Sequence, residues 1–411
     1  MPPLFPSTLL KLSRGRVPGQ AVIQYTDACN ASCPQCGMRR AAPFERSTLG
    51  VARAKEIIDS AVQAGVSALS FTGGEPLLFL DDVVELLRHA GQAGIPYLRT
   101  GTNGFLFRGS DSPGFTGRIE TIAAKLAGSG LYTFWISIDS ADAATHEAMR
   151  GFPGVIRGIE KALPIFHSHG IYPAANLGMN RNMGKTWLGE GFTAQQCRDA
   201  CGEFYDFVIG LGFTIANACY PMSAEGNPGL AAVYAASADA DLVRFSAAEK
   251  IILFSALSET IPKYRNRLRI FTPRSSLHAL VGQYRRGAEF SYPCRGGLDF
   301  FFVDAKSGGI YPCGYRGSEE LGGFPALAEV RRQNAPTCRK CDWECFRDPS
   351  EMAGPLLELF ESPLKLFRRA IRDPGFFRLW LKDLGYYRAC GYFNGRIPAD
   401  YRKLGRFAPG G

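Results

Sequence analysis

Three thiols stand close together early in the chain. Cys29, Cys33 and Cys36, in the run CNASCPQC, are spaced Cys-x3-Cys-x2-Cys. Cysteine thiolates hold iron-sulfur clusters, and four ligands close one completely. Three thiols on one loop would leave one iron with an open position, where chemistry can happen. A zinc site also needs four ligands and commonly builds them from paired Cys-x2-Cys or Cys/His arms. No fourth ligand lies nearby, since His89 is the first histidine. A disulfide framework suits small secreted chains. This chain has 411 residues, and its start, MPPLFPSTLLKLSRGRVPG, is basic, broken by prolines and without a signal-type apolar core.

The elements that must position these thiols alternate between strand-like and helix-like patterns, which predicts β/α units around a parallel sheet. Residues 21–25 read as the first strand and 66–71 as the second. Between them Ser47 is expected to cap a helix that turns Ala54, Ile57, Ile58 and Ala61 to one face. Asp81 or Asp82 should open the next helix, with Val83, Leu86, Leu87 and Ala90 inward. Strands are expected at 97–100, 131–138, 171–177 and 213–219, and helices at 154–169 and 192–211. In β/α barrels the active site is built from loops at the C-terminal ends of the strands. The Cys loop follows strand one, Thr72 to Pro76 follow strand two, Gly101 to Gly104 follow strand three, and Asp139 and Ser140 close strand four. Singly, such Gly-Gly-x-Pro and Asn-Gly runs are also turn signals.

By the Cys-x3-Cys-x2-Cys loop after strand one and Gly73-Gly74-Glu75-Pro76 after strand two, residues 18–220 resemble the radical S-adenosylmethionine (SAM) enzymes. The resemblance implies an α/β fold with a partial (β/α)6 TIM-like barrel. It also implies a 4Fe-4S cluster on Cys29, Cys33 and Cys36 whose open iron takes the amino and carboxylate groups of SAM. Gly73, Gly74, Glu75 and Pro76 would then lie against the SAM amino group, with Thr102 and Asn103 on the neighbouring loop. Ser137 and Asp139 look like the strand-four residues that reach the SAM ribose or carboxylate, and Asn176 is a further nucleoside candidate. The family usually has an aromatic before the third cysteine; here it is Gln35, so adenine contacts are expected from Met38 or from strands five and six. Donating an electron to a sulfonium needs the low end of the iron-sulfur range, about −700 to +450 mV. SAM cleavage would yield a 5'-deoxyadenosyl radical that abstracts hydrogen from an unactivated C–H bond, in a barrel kept dry.

A second group, Cys294, Cys313, Cys338, Cys341 and Cys345, occupies a glycine- and proline-rich stretch ending in CRKCDWEC. On spacing alone it suits a zinc ribbon as well as an iron-sulfur site. After such a barrel it resembles the SPASM and twitch extensions, which carry auxiliary clusters, and Gly308 with Cys313 fits their first half. One auxiliary 4Fe-4S cluster is expected, on Cys294, Cys313, Cys338 and Cys341, with Cys345 surplus or replacing one of them. It would conduct electrons or bind substrate. Cys197, Cys201, Cys219 and Cys390 are expected as packing residues, and His167 and His169 as surface polar groups.

The domains expected are an extension at 1–17, the core at 18–225, a helical linker at 226–290, the auxiliary domain at 291–350 and a basic aromatic extension at 351–411. The composition, 46% hydrophobic and 21% charged, is that of a globular protein. No apolar run reaches the about 18 residues of a spanning helix, and the cytoplasm is the expected compartment. Of the formal charge of +9, nearly all sits beyond residue 363, interleaved with aromatic rings. Such a tail can pack over the barrel, lie on an anionic membrane or grip nucleic acid. The extension is associated with peptide and protein modification, yet with the Cys loop starting at position 29 no N-terminal leader-binding module is expected. Substrates in view are therefore a peptide brought by another protein, a hydrophobic lipid-like molecule, or a small molecule to be dehydrogenated. The reductant expected is flavodoxin or ferredoxin. A reading from another class is a non-catalytic iron-sulfur or zinc protein that binds nucleic acid.

Overall fold

Residues 6–221, 233, 241–324 and 336–409 are described by the structure, a computed structural model. Six strands fall where expected: β1 (Gly19–Thr26), β2 (Val66–Gly73), β3 (Tyr97–Thr102), β4 (Thr133–Ile138), β5 (Ala174–Gly178) and β6 (Ile215–Cys219). They pair in chain order and in parallel. Every residue of β1 is buried, as expected for a parallel strand covered on both faces. The sheet runs beyond six strands. β7 (Arg269–Ile270) adds in parallel to β6, β8 (Phe300–Val303) adds in parallel to β1 on the opposite flank, and β9 (Ile310–Tyr311) pairs antiparallel with β8. The order is β7-β6-β5-β4-β3-β2-β1-β8-β9, so the cysteine-rich stretch extends the sheet of the barrel.

The helices are α1 (Pro6–Ser13), α2 (Val51–Gln63), α3 (Leu80–Gln92), α4 (Phe115–Ala127), α5 (Ala143–Arg150), α6 (Val155–Ser168), α7 (Ala194–Leu211), α8 (Ala247–Thr260), α9 (Arg274–Arg286), α10 (Glu344–Glu361), α11 (Pro363–Arg372), α12 (Pro374–Ala389) and α13 (Tyr401–Leu404). On α2 the buried residues are Ala54, Ile57, Ile58 and Ala61, the expected face. Ser47 is not its cap. The chain stays extended past Ser47, where Thr48 bridges Thr26, and the N-cap is Gly50. The Ser47 N–H instead donates to Asp27 Oδ1 at 2.7 Å. α7 starts later than expected because Thr193 and Gln196 form a reciprocal capping box that fixes its first turn.

The C-terminal segment divides in two. On and after α12, Phe376, Trp380, Tyr386 and Phe393 are buried, as in the reading of a tail packed over the barrel. Asp383 accepts from Arg265 Nη2 at 2.6 Å, from the Ser275 N–H at 2.8 Å and from Ser275 Oγ at 2.9 Å. The Tyr386 hydroxyl donates to the Leu268 carbonyl at 2.6 Å and accepts from the Ile270 N–H at 2.9 Å. α11 differs: no residue on it is buried, and Leu364, Phe367 and Ile371 are exposed on one face. Removing Asp383 would strand the buried Arg265 guanidinium. Asp383→Ala should therefore cost about 3–5 kcal/mol, read as a lowered denaturation midpoint in urea, and Asp383→Asn should cost less.

Candidate active site

The Cys loop is held by groups on either side of it. Arg46 reaches back across the loop: Nη1 donates to the carbonyls of Asp27 (2.7 Å) and Met38 (3.1 Å), and Nη2 to those of Arg39 (2.8 Å) and Ala42 (3.3 Å). The Ala31 N–H points at Cys29 Sγ (3.5 Å), and Asn103 Nδ2 donates to Asn30 Oδ1 (2.9 Å) and approaches Cys29 Sγ (3.7 Å). Burial pushes all three thiols up, Cys33 to about 12. The Arg150 guanidinium opposes that rise at each of them.

The loop after β2 is built against this one. The Gly74 N–H donates to the Thr26 carbonyl and the Glu75 N–H to the Ala28 carbonyl, both at 2.8 Å. A Cβ on Gly73 would stand 2.0 Å from the Thr26 oxygen, and one on Gly74 2.2 Å from the Ala28 oxygen. The glycine pair is therefore required by the backbone that leads into the Cys loop. Glu75 is fully buried. Its carboxylate accepts from the Leu77 N–H at 3.0 Å and from the Asn103 N–H at 2.5 Å. Burial pushes it up to about 7 against those donors. Pro76 occupies the first position of the short 3-10 turn that Glu75 caps. Thr102 Oγ1 accepts from the Gly104 N–H at 3.1 Å. Glu75 thus fixes the loop carrying Asn103, and Asn103 reaches Cys29.

Asp139 at the end of β4 is turned toward Arg150, with Nη2 to Oδ1 at 2.8 Å and Nε to Oδ2 at 2.7 Å. Asp142 caps α5 by accepting from the Thr145 N–H, which sets His146 and Arg150 one turn apart. The Asp139 N–H donates to His146 Nδ1 at 3.1 Å, and burial holds that imidazole down at about 4. Asn180 Nδ2 donates to the carbonyls of Asp139 and Gly178. Arg46, Arg150 and Asn180 escaped the sequence reading. Asp139, His146 and Arg150 do carry a signal, a carboxylate at a strand end followed by two basic groups four residues apart.

Ser137, Asn176 and Asn217 stand in register across β4, β5 and β6, and Asn217 Nδ2 donates to Asn176 Oδ1 at 3.1 Å. Asn176 lines a cavity of about 1060 Å³ inside the barrel, with Cys36, Met38, Thr72 and Gly73 also in its wall. Gln35, in place of the aromatic, lines it too, and its Oε1 is buried without a donor. Helices α10 and α12 close the far wall with Glu344, Asp348, Met352, Leu384 and Tyr387. Cys219, expected as packing, faces this cavity, and its thiol donates to Asn176 Oδ1 at 3.3 Å. Cys197, Cys201 and Cys390 are buried as expected. His167 is not a simple surface group: it stacks on Tyr172 at 4.9 Å, with Nε2 buried.

The later cysteines also separate. Cys294 and Cys338 share an antiparallel bridge, with the Cys294 N–H donating to the Cys338 carbonyl at 2.8 Å. Cys313 lies in the electrostatic reach of Cys294 and Cys338, and Cys341 in that of Cys294 and Cys313. Backbone N–H groups of Gly296 and Tyr315 approach the sulfurs of Cys294 and Cys313 at 3.4 Å. Cys345 stands apart. The second residue of α10, it lines the cavity, and its thiol donates to Glu344 Oε1 at 3.5 Å. Among the described residues no three His, Cys, Asp or Glu groups converge as one metal ion would draw them; in an iron-sulfur cluster the protein ligands bind different irons.

These features define a class. Residues 23–184 match the Radical SAM superfamily, and the chain carries a radical SAM domain, a fold that takes a 4Fe-4S cluster and SAM. The residues present fit that pair: three thiols on one clamped loop, N–H donors at a sulfur, and Cys36 opening on a cavity beside an unanswered amide oxygen. The AdoMet-dependent heme synthase of Methanosarcina barkeri is 26% identical over 80% of this chain and 85% of the relative. The GTP 3',8-cyclase of Vibrio atlanticus is 29% identical over 35% of this chain and 41% of its own length. Among solved structures, SuiB of Streptococcus suis bound to S-adenosylmethionine matches with TM-score 0.51 and 18% identity, over 76% of this chain and 68% of that one. Native anSMEcpe with bound AdoMet matches with TM-score 0.50 and 16% identity, over 88% and 99%. At these identities the likeness speaks for the fold.

A methyl group on Gly74 must displace the Ala28 carbonyl and with it the Cys loop. Gly74→Ala should fold with an unchanged far-UV spectrum yet take up little iron on anaerobic reconstitution, measured as iron and sulfide per chain.

Proposed function

We propose that this protein reductively cleaves SAM and uses the product to remove hydrogen from a C–H bond of a substrate held in the barrel cavity. The observation that carries this is the shared wall: Cys36, Gly73 and Asn176 line the same chamber as the residues of α10 and α12. When bound, a reduced cluster supplies the electron that splits SAM into methionine and a 5'-deoxyadenosyl radical. Cys29, Cys33 and Cys36 hold that cluster, while Arg46 and Asn103 fix the loop. Trp135, Ile215, Phe271, Phe302 and Met352 present apolar surface to the chamber and exclude water from it. Cys294, Cys313, Cys338 and Cys341 would hold a second 4Fe-4S cluster, which would supply a site to take up or return an electron, and a flavodoxin- or ferredoxin-type protein would supply reductant. Cysteine to alanine at positions 29, 33 or 36 should reduce 5'-deoxyadenosine formation to background under dithionite. Cys338→Ala should keep cleavage but stop hydrogen transfer from substrate; equal behaviour of both sets would overturn the division.

The substrate favoured is a hydrophobic, lipid-like molecule, on the apolar chamber and on α11. That helix carries Lys365, Arg368, Arg369 and Arg372 beside exposed Leu364, Phe367 and Ile371, the pattern of a helix that lies on an anionic lipid surface. Among the described residues no helix is long and apolar enough to cross a membrane. Lipid and aqueous fractions of deuterated cells, offered separately, should place deuterium in 5'-deoxyadenosine from the lipid fraction. Label from the aqueous fraction would favour a second reading, a tetrapyrrole or other small metabolite, suggested by the heme synthase aligned over 80% of the chain. The full chain should sediment with phosphatidylserine vesicles through an attraction of about 1 kcal/mol per basic residue at the surface that added salt weakens, and Phe367→Ser with Ile371→Ser should abolish it.

A further inference from the structure

Arg99 is a cation that the protein encloses without an answering charge. It lies on β3 between Ser70 and Thr133 in register and lines the cavity. Its Nε and Nη2 are buried with no hydrogen-bond partner. Burial lowers its pKa, and the partner that opposes this is the Cys345 thiol. Neither buried nitrogen bonds to that thiol, whose own hydrogen goes to Glu344 Oε1. The acids of the cavity are occupied elsewhere. Glu344 accepts from the Tyr220 N–H and the Cys345 thiol, and Asp348 from Ser276 Oγ and the Tyr220 hydroxyl.

The contrast with the buried arginines is sharp. Arg150 is answered by Asp139, Arg181 by Glu249, Arg265 by Asp383, Arg295 by Asp299 and Arg347 by Glu351. Arg269 is answered by the carbonyls of Thr214 and Asn394. An unpaired charge in a largely apolar chamber is costly, and a ligand anion would offset that cost.

We propose that Arg99 anchors an acidic group, a carboxylate or a phosphate ester, of a largely apolar substrate. The proposal rests on the reading of the cavity as the substrate chamber. Asn103, which touches Cys29, is four residues further along, or about 13 Å at strand rise. The acid end therefore sits deep in the barrel, and the remainder of the molecule extends toward Cys36.

The test uses the full chain with its cluster reconstituted and two fluorescent probes, 8-anilinonaphthalene-1-sulfonate and its uncharged parent N-phenyl-1-naphthylamine. The native protein should bind the sulfonate at least about tenfold more tightly than the parent, a difference of about 1.4 kcal/mol. Arg99→Gln should erase that preference while leaving affinity for the parent unchanged, and Arg99→Lys should restore part of it. Laurate or dodecyl phosphate should displace the sulfonate, and whichever does so identifies the acid. Arg99→Met should raise the melting temperature of the protein without ligand, a readout that requires no probe. Equal sulfonate binding by the native and Arg99→Gln proteins, displacement by neither acid, or weakened SAM binding with sulfonate binding intact would each overturn the proposal. SAM cleavage by the native protein is scored separately. Probe discrimination without 5'-deoxyadenosine would keep the anion site and remove the radical reading, and the reverse would remove the anion site alone.

Discussion

The distance between two backbones governs this site. The chain leaving β1 and the chain leaving β2 run so close that Thr26 and Ala28 offer their carbonyls to Gly74 and Glu75, and no side-chain carbon fits between them. Everything on the rim is referenced to that contact. Because the loop after β2 is fixed there, Glu75 can turn its carboxylate inward and hold the loop after β3; because that loop is held, Asn103 reaches Cys29. The geometry at the thiols is thus inherited through three successive strands.

The same rim is closed from outside by parts of the chain far away in sequence. β8 lies beside β1 although nearly three hundred residues separate them, and α10 turns Glu344, Asp348 and Met352 into the barrel. The later cysteines therefore do not sit on a remote appendage. The strand that follows Cys294 belongs to the sheet that carries the first cysteine loop, and the helix that follows Cys341 is part of the chamber wall.

What could be read in the sequence follows from this division. The strands, the buried face of α2 and the Cys loop were legible because their signals are periodic or lie within a few residues. Ser47 misled because an extended bridge at Thr48 delays the helix, and a cap is defined by the turn it starts. Arg46, Arg150 and Asn180 were missed because their partners are carbonyls and carboxylates brought close only by folding. Cys219 looked like any small buried residue at a strand end, and its place in the cavity depends on α10 arriving opposite it. The sequence left Cys345 either surplus to the other four later cysteines or replacing one of them, because where it faces depends on how α10 meets the barrel cavity.

The burial of the first three thiols bears on how readily they react. With Cys33 held near 12 and its neighbours also raised, these sulfurs keep their protons at neutral pH, and a protonated thiol is a poor nucleophile. As thiols they should therefore be slow to form mixed disulfides or to climb the oxidation ladder. Any metal bound by these sulfurs would have to expel those protons, so binding at this loop should strengthen as pH rises.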